Sequence, residues 1–141
     1  MLEGFFLEAQ TMPTFPARSL ANFATLHGDL QRVCEEAIKI VDFSIVCGFR
    51  DKASQDNAFK AGTSKVQWPN SKHNVAPSHA MDLAPYPIDW NDRERFVFLA
   101  GVITACAVRI GVNLRWGGDF NGNGKFSDDK FSDLPHFELV S

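Results

Sequence analysis

Cysteine, tyrosine, long apolar runs and blocks of like charge are what this 141-residue chain has least of. Its three cysteines, Cys34, Cys47 and Cys106, are odd in number, form no CxxC pair and each sit in an apolar stretch, which argues against a disulfide framework and against a thiolate metal site. They are expected to be buried small hydrophobes. Nowhere do about 18 apolar residues follow one another, so no membrane-spanning helix is expected. The 14 Lys and Arg residues are scattered among 17 Asp and Glu, for a net charge of −3, and leave no basic stripe to grip a phosphate backbone. Nucleic acid is therefore not an expected partner. The first residues, MLEGFFLEAQ, carry Glu3 and Glu8 and lack both a basic start and an extended apolar stretch. No secretory signal peptide is visible, and the product is expected to be soluble and cytoplasmic when made.

With 45% hydrophobic residues, a chain of this length can bury one self-sufficient core. Residues 1–18, with Pro13 and Pro16 and no sustained period, read as an arm laid on a domain spanning 19–141. Leu30, Val33, Cys34, Ala37, Ile38 and Val41 recur on one helical face and predict a helix over 29–41. The β-branched and aromatic run FSIVCGF predicts a buried strand ending near Gly48 to Arg50, and DKASQDNAFKAG a short helix closed by Gly62. The stretch TSKVQWPNSKHNVAPS must be irregular, because Pro69 and Pro77 restrict the residues before them, and such loops often carry chemistry. AMDLAPY predicts a second strand stopped by Pro85 and Pro87, and a strongly apolar helix follows, capped by Asn91 or Asp89 and ended at Gly111. VNLRWGG and HFELV add two strands around the loop DFNGNGKFSDDKFSDLP. The sum is an α+β domain, a small and mainly antiparallel sheet with packed helices.

Of the four histidines, His73 and His136 stand beside carboxylates in segments that are not helix faces. Asp82 lies between Met81 and Leu83 inside an apolar strand, where an unpaired charge is costly, so a cation must face it: an Arg or Lys, or a metal. Two imidazoles and one carboxylate would meet the ligand count of a catalytic zinc, which keeps a fourth position for water. Asp133, three residues before His136, could reach such a water as a general base, although the same spacing also suits an ordinary turn.

Taken together, GFR at 48–50 with Gln55, SKH at 71–73, AMDLAP at 80–85, RWGGDF at 115–120 and DLPHFELV at 133–140 resemble, in this order, the small zinc peptidoglycan peptidases. That family includes the D-alanyl-D-alanine carboxypeptidases and dipeptidases and the phage L-alanyl-D-glutamate endolysins, and the resemblance spans residues 19–140. It implies that zinc is held by His73, Asp82 and His136, that Asp133 is the base where many members use Glu, that Arg50 stabilises the oxyanion, and that Ser71 contacts substrate. It implies hydrolysis of the L-alanyl-D-glutamate bond of the peptidoglycan stem peptide by a lysin made in the host cytoplasm and acting on the cell wall after release. A monomer is expected. Two alternatives stay open, a D-alanyl-D-alanine carboxypeptidase using the same site and a catalytically silent wall-binding or virion domain.

Two departures accompany the resemblance. His73 and Asp82 are nine residues apart, two more than usual in the family, and the usual intervening glycine is absent. His79 could therefore compete as a ligand, but on a strand residues three apart point to opposite faces, which favours His73. His27 lies on no motif and reads as a surface residue. A second ion is also a candidate: Asp119, Asn121, Asn123, Lys125, Ser127 and Asp129, with Gly124 at the sixth position, follow the start of an EF-hand calcium loop, except that Lys130 replaces the usual bidentate Glu. A polar Gly-Asn turn is the equally weighted alternative.

Overall fold

The computed structural model describes residues 14–124 and 133–140. Among these the elements are α1 (Ala17–Phe23), α2 (Gly28–Ala37), β1 (Phe43–Cys47), α3 (Lys52–Lys60), a 3-10 turn (Lys72–Asn74), β2 (Ala80–Pro85), α4 (Arg93–Ile110), β3 (Leu114–Trp116) and β4 (His136–Leu139). The strands form one sheet in the order β1-β2-β4-β3, and every pairing is antiparallel. This is the α+β architecture that the hydrophobic pattern predicts. None of the described helices is long and apolar enough to cross a membrane.

Alternation along the strands gives the sheet two different faces. Phe43, Ile45, Met81, Leu83 and Phe137 point into the core and are each at most 1% exposed. They pack with Leu30, Val33, Cys34 and Ala37 of α2 and with Leu99, Ile103 and Ala107 of α4. The other face carries Asp82, His136 and Glu138.

One irregularity decides what stands beside Asp82. Ile45 pairs with Leu83, but the next paired residue on β1 is Cys47, opposite Asp82, so Val46 is an extra residue in a β-bulge. Asp82 pairs on its other side with His136. Cross-strand partners share a face, so Cys47, Asp82 and His136 form a row across three strands.

The edge strand β1 is covered by α1. Ser19 Oγ accepts from the Ile45 N–H at 3.0 Å and Asn22 Nδ2 donates to the Ile45 carbonyl at 2.7 Å, which satisfies backbone groups that an open edge would leave unpaired. The expected junction between residues 18 and 19 falls inside this helix. Phe15 packs edge-on against Phe43 at 5.3 Å between ring centroids. Residues 1–13 of the expected arm lie outside the described residues.

Several elements differ from expectation: α1 is not predicted by the pattern, β3 covers only Leu114–Trp116 of VNLRWGG, and three further boundaries shift. α2 stops at Ala37 rather than Val41, where the β-branched pair Ile40–Val41 begins to disfavour helix and Ile40 turns outward, 61% exposed. β1 ends at Cys47, short of Gly48 to Arg50. The cap of α4 is Asp92, whose side chain accepts from the Arg95 N–H, whereas Asp89 accepts from the Asn91 N–H in the preceding turn.

Candidate metal centre

The polar face of the sheet opens into a cleft of about 730 Å³ whose lining includes Arg50, Ser71, Lys72, His73, Asp133 and His136. Asp82 is the hub. Its Oδ1 lies 3.3 Å from His73 Nε2 and 3.3 Å from His136 Nδ1, and its Oδ2 lies 3.5 Å from Arg50 Nη2. The charge that the sequence shows stranded in an apolar strand thus meets a guanidinium on one oxygen and two imidazoles on the other.

His73 is held by the irregular segment rather than by a strand. Ser71 caps the 3-10 turn, its Oγ accepting from the His73 N–H while Asn74 Oδ1 accepts from the Ser71 N–H. Asn74 Nδ2 donates to the Arg50 carbonyl and to Gln55 Oε1, which also accepts from Arg50 Nη1 at 2.9 Å. The fully buried Gln55 therefore ties the arginine and the histidine turn together. His73 Nδ1 lies 2.7 Å from the Gly48 carbonyl. A carbonyl only accepts, so in the neutral ring Nδ1 carries the proton and Nε2 presents its lone pair to the cleft. Glycine is required at position 48 because a Cβ there would fall 2.8 Å from the Asn22 carbonyl oxygen.

His136 is oriented by the same logic. Its Nε2 lies 2.8 Å from Glu138 Oε1, and a carboxylate accepts, so Nδ1 is the nitrogen left for the cleft. Glu138 in turn meets Lys72 Nζ at 3.5 Å and Arg115 Nη1 at 3.8 Å. Asp133 is anchored by its N–H to the Gly117 carbonyl at 2.8 Å, while the Gly117 N–H donates to the His136 carbonyl at 2.7 Å. A side chain at Gly117 would sit 2.1 Å from the Asp133 carbonyl oxygen, so this approach admits only glycine.

Among the described residues, two sets bring one donor atom from each member within 4.8 Å of all the others: Asp82–Asp133–His136 and Cys47–His73–Asp82. The expected trio His73, Asp82 and His136 is not itself one of these sets: each imidazole lies 3.3 Å from Asp82 Oδ1, which joins the two. His73 Nε2 is a buried nitrogen, 3.3 Å from Asp82 Oδ1 but with no hydrogen-bond partner, in a residue only 2% exposed.

The electrostatics agree. Burial pushes the His73 imidazole down, but its contacts with Asp82 and Cys47 outweigh this and raise it to about 10. Burial likewise lowers His136, and the contacts with Asp82 and Glu138 raise it to about 9. Asp82 is driven far below the usual carboxylate range by the two imidazoles, against its own burial. A divalent cation bound at this hub would have to displace those protons, because only the deprotonated imidazoles are ligands. Asp133 moves the other way, raised by burial and by the Asp82 charge.

Cys47 departs from expectation. Cys34 and Cys106 are buried, but Cys47 is only partly covered and lines the cleft. The Val46 bulge, which no alternation pattern reveals, turns it onto the polar face. Its Sγ lies 3.8 Å from His73 Nδ1 and 3.6 Å from Arg50 Nη2. Burial raises its thiol, but the His73 hydrogen bond and charge and the Arg50 guanidinium outweigh this and leave it below the ordinary value. Glu138 and Asn74 were also not singled out by sequence. The alternation in HFEL, which puts residue 138 on the face of His136, is the signal that finds Glu138.

His79 stays apart from the hub, edge-on to His27 at 5.2 Å, and His27 caps α2 by accepting from the Asp29 N–H. In the candidate calcium loop, Asp119 Oδ2 accepts from the Gly124 N–H and Asn121 Oδ1 from the Asn123 N–H, while Asp119 Oδ1 is buried without a hydrogen-bond partner. Lys125, Ser127 and Asp129 lie outside the described residues.

Comparison with known proteins places this geometry in context. The chain is 33% identical over 134 residues to the L-alanyl-D-glutamate peptidase of Escherichia phage T5, a match covering 89% of this chain and 97% of that relative. Its fold matches the crystal structure of the Serratia marcescens L-Ala D-Glu endopeptidase ChiX with a TM-score of 0.71 at 27% identity, covering 99% of this chain and 96% of the other. The family model for phage L-alanyl-D-glutamate peptidase matches residues 12–140, and the chain belongs to that family.

Proposed function

We propose that the protein is a zinc metallopeptidase that hydrolyses the L-alanyl-D-glutamate bond of peptidoglycan stem peptides, with His73, Asp82 and His136 holding the ion. The observation that carries the metal reading is the buried, partnerless His73 Nε2 aimed at the Asp82 oxygen that His136 also meets. The donor set suits the ion, since nitrogen and carboxylate oxygen are zinc's common catalytic ligands. Bound there, zinc would supply a Lewis acid that polarises a carbonyl and lowers the pKa of water toward about 7.

The remaining steps belong to the chain. Asp133, raised by burial and the Asp82 charge, takes the proton of the attacking water and returns it to the leaving amine. Arg50, tethered by Gln55, places a fixed positive charge beside the developing oxyanion. Arg50 and Lys72 line the cleft and can anchor the free carboxylate of the stem peptide. Ser71, whose oxygen already caps the His73 turn, keeps its hydroxyl hydrogen for the substrate. For calcium at 119–129, the support is the partnerless Asp119 Oδ1.

The test joins elemental analysis to digestion of purified muropeptides. The expected result is one zinc per chain and fragments with a new amino-terminal D-glutamate. Release of terminal D-alanine would instead mark a carboxypeptidase, and neither zinc nor cleavage would leave a silent wall-binding domain. His136→Ala should lose zinc and activity together, and retained zinc would remove it from the ligand set.

A further inference from the structure

The row across the sheet contains a sulfur atom that the zinc reading does not use. Cys47 stands opposite Asp82 because of the bulge at Val46, and its Sγ, His73 and Asp82 form a set whose donor atoms all lie within 4.8 Å of one another. That set shares Asp82 and His73 with the proposed zinc ligands but replaces His136 by a thiol. The buried His73 Nε2 on which the zinc reading rests, without a hydrogen-bond partner and 3.3 Å from Asp82 Oδ1, belongs to this set as well. Cys47 itself is partly exposed on the cleft, so an entering cation can reach it.

We propose that Cys47, His73 and Asp82 form an alternative ligand set, overlapping the zinc site, that captures a soft divalent cation of the cadmium class. Zinc accepts thiolate as well as imidazole and carboxylate, so the set discriminates by degree: a cation softer than zinc gains more from the Cys47 sulfur than it loses by giving up the His136 nitrogen. Binding releases the thiol proton to solvent, and the adjacent Arg50 guanidinium, 3.6 Å from Sγ and 3.5 Å from Asp82 Oδ2, offsets the added negative charge. A cation held on this side has moved toward β1 and away from Asp133, which belongs to the other set. The peptidase is then blocked by occupation of its own centre rather than by modification of a distant thiol. This inference rests on the reading of His73 and Asp82 as metal ligands, but not on that of His136.

The experiment adds one equivalent of cadmium to metal-free protein and reads the ultraviolet thiolate-to-cadmium charge-transfer band and the ¹¹³Cd chemical shift. Native protein should show the band and a shift displaced toward that of a site with one sulfur ligand. Cys47→Ser should lose the band and bind cadmium more weakly than native protein, while its zinc affinity stays close to native, which also reports that it folds. His136→Ala should keep the band although it loses zinc. An all-nitrogen-and-oxygen ¹¹³Cd shift in native protein, needing no variant, would overturn the proposal, as would a band that survives Cys47→Ser or disappears in His136→Ala. Zinc held normally by a protein with no cadmium–sulfur signal would sink this inference alone. A cadmium–sulfur signal in a protein that never takes zinc through His136 would sink the zinc reading alone.

Discussion

The two faces of the central sheet are built from the same four short strands, and they differ in almost everything else. On one side Met81, Leu83 and Phe137 are fully packed between α2 and α4. On the other, the residues that alternate with them, Asp82, His136 and Glu138, are tied into a network of charges. The contrast teaches that the core fixes the position of the centre without contributing a donor to it. A strand that is anchored by Met81 and Leu83 has no freedom to withdraw Asp82 from the cleft. The irregular side, by contrast, positions His73 through hydrogen bonds from Ser71, Asn74 and Gln55, so it depends on polar satisfaction rather than on packing.

The comparison can be broken most severely at Asp133. Asp133→Ala should lower muropeptide hydrolysis by about 10²–10⁴-fold while zinc content stays near one per chain. Full activity would end the base assignment. Next comes the core face: Met81→Ala should cost about 2–5 kcal/mol of stability in denaturant unfolding, with turnover per folded molecule close to native. A specific loss of turnover at unchanged stability would mean that the two faces are not separable as described. A smaller effect is expected from Glu138→Gln, which keeps the shape but not the charge behind His136. Zinc affinity measured by competition with a chromophoric chelator should fall about ten- to a hundredfold.

The smallest effect belongs to the metal-free protein. His73 and His136 are raised to about 10 and about 9, so their contribution to stability is complete below the ordinary imidazole value of about 6.5. It is lost as pH rises through about 9–10. Asp82 is lowered, so its contribution is present above about 3.9 and fades as pH falls below that. Thermal unfolding of metal-free protein should therefore show a lower midpoint at pH 10 than at pH 6. A midpoint that rises over this interval would contradict the assigned charge states.

How much of this was legible in the sequence differs between the same regions. The helix around Leu30 and Ala37 and the strand carrying Met81 and Leu83 follow from period alone, because burial forces apolar residues to recur at the spacing of the backbone. The isolation of Asp82 in that strand was legible for the same reason. It could not reveal that Arg50 meets one oxygen while two imidazoles meet the other. The Val46 bulge was invisible, since FSIVCGF reads equally well without it, and with the bulge went the placement of Cys47. Asn91 and Asp89 are acceptable caps by sequence, and only the path of the turn selects Asp92 instead. The folding of SKHN into a capped 3-10 turn, which fixes His73, rests on contacts with Arg50 and Gln55 far away in sequence.

The central claim is that His73, Asp82 and His136 share one zinc ion, and zinc-edge X-ray absorption of the zinc-loaded protein tests it most directly. The account predicts two imidazole nitrogens at about 2.0–2.1 Å, light oxygen donors completing the shell and no sulfur. A zinc shell containing sulfur, or one with fewer than two imidazole nitrogens, would contradict it.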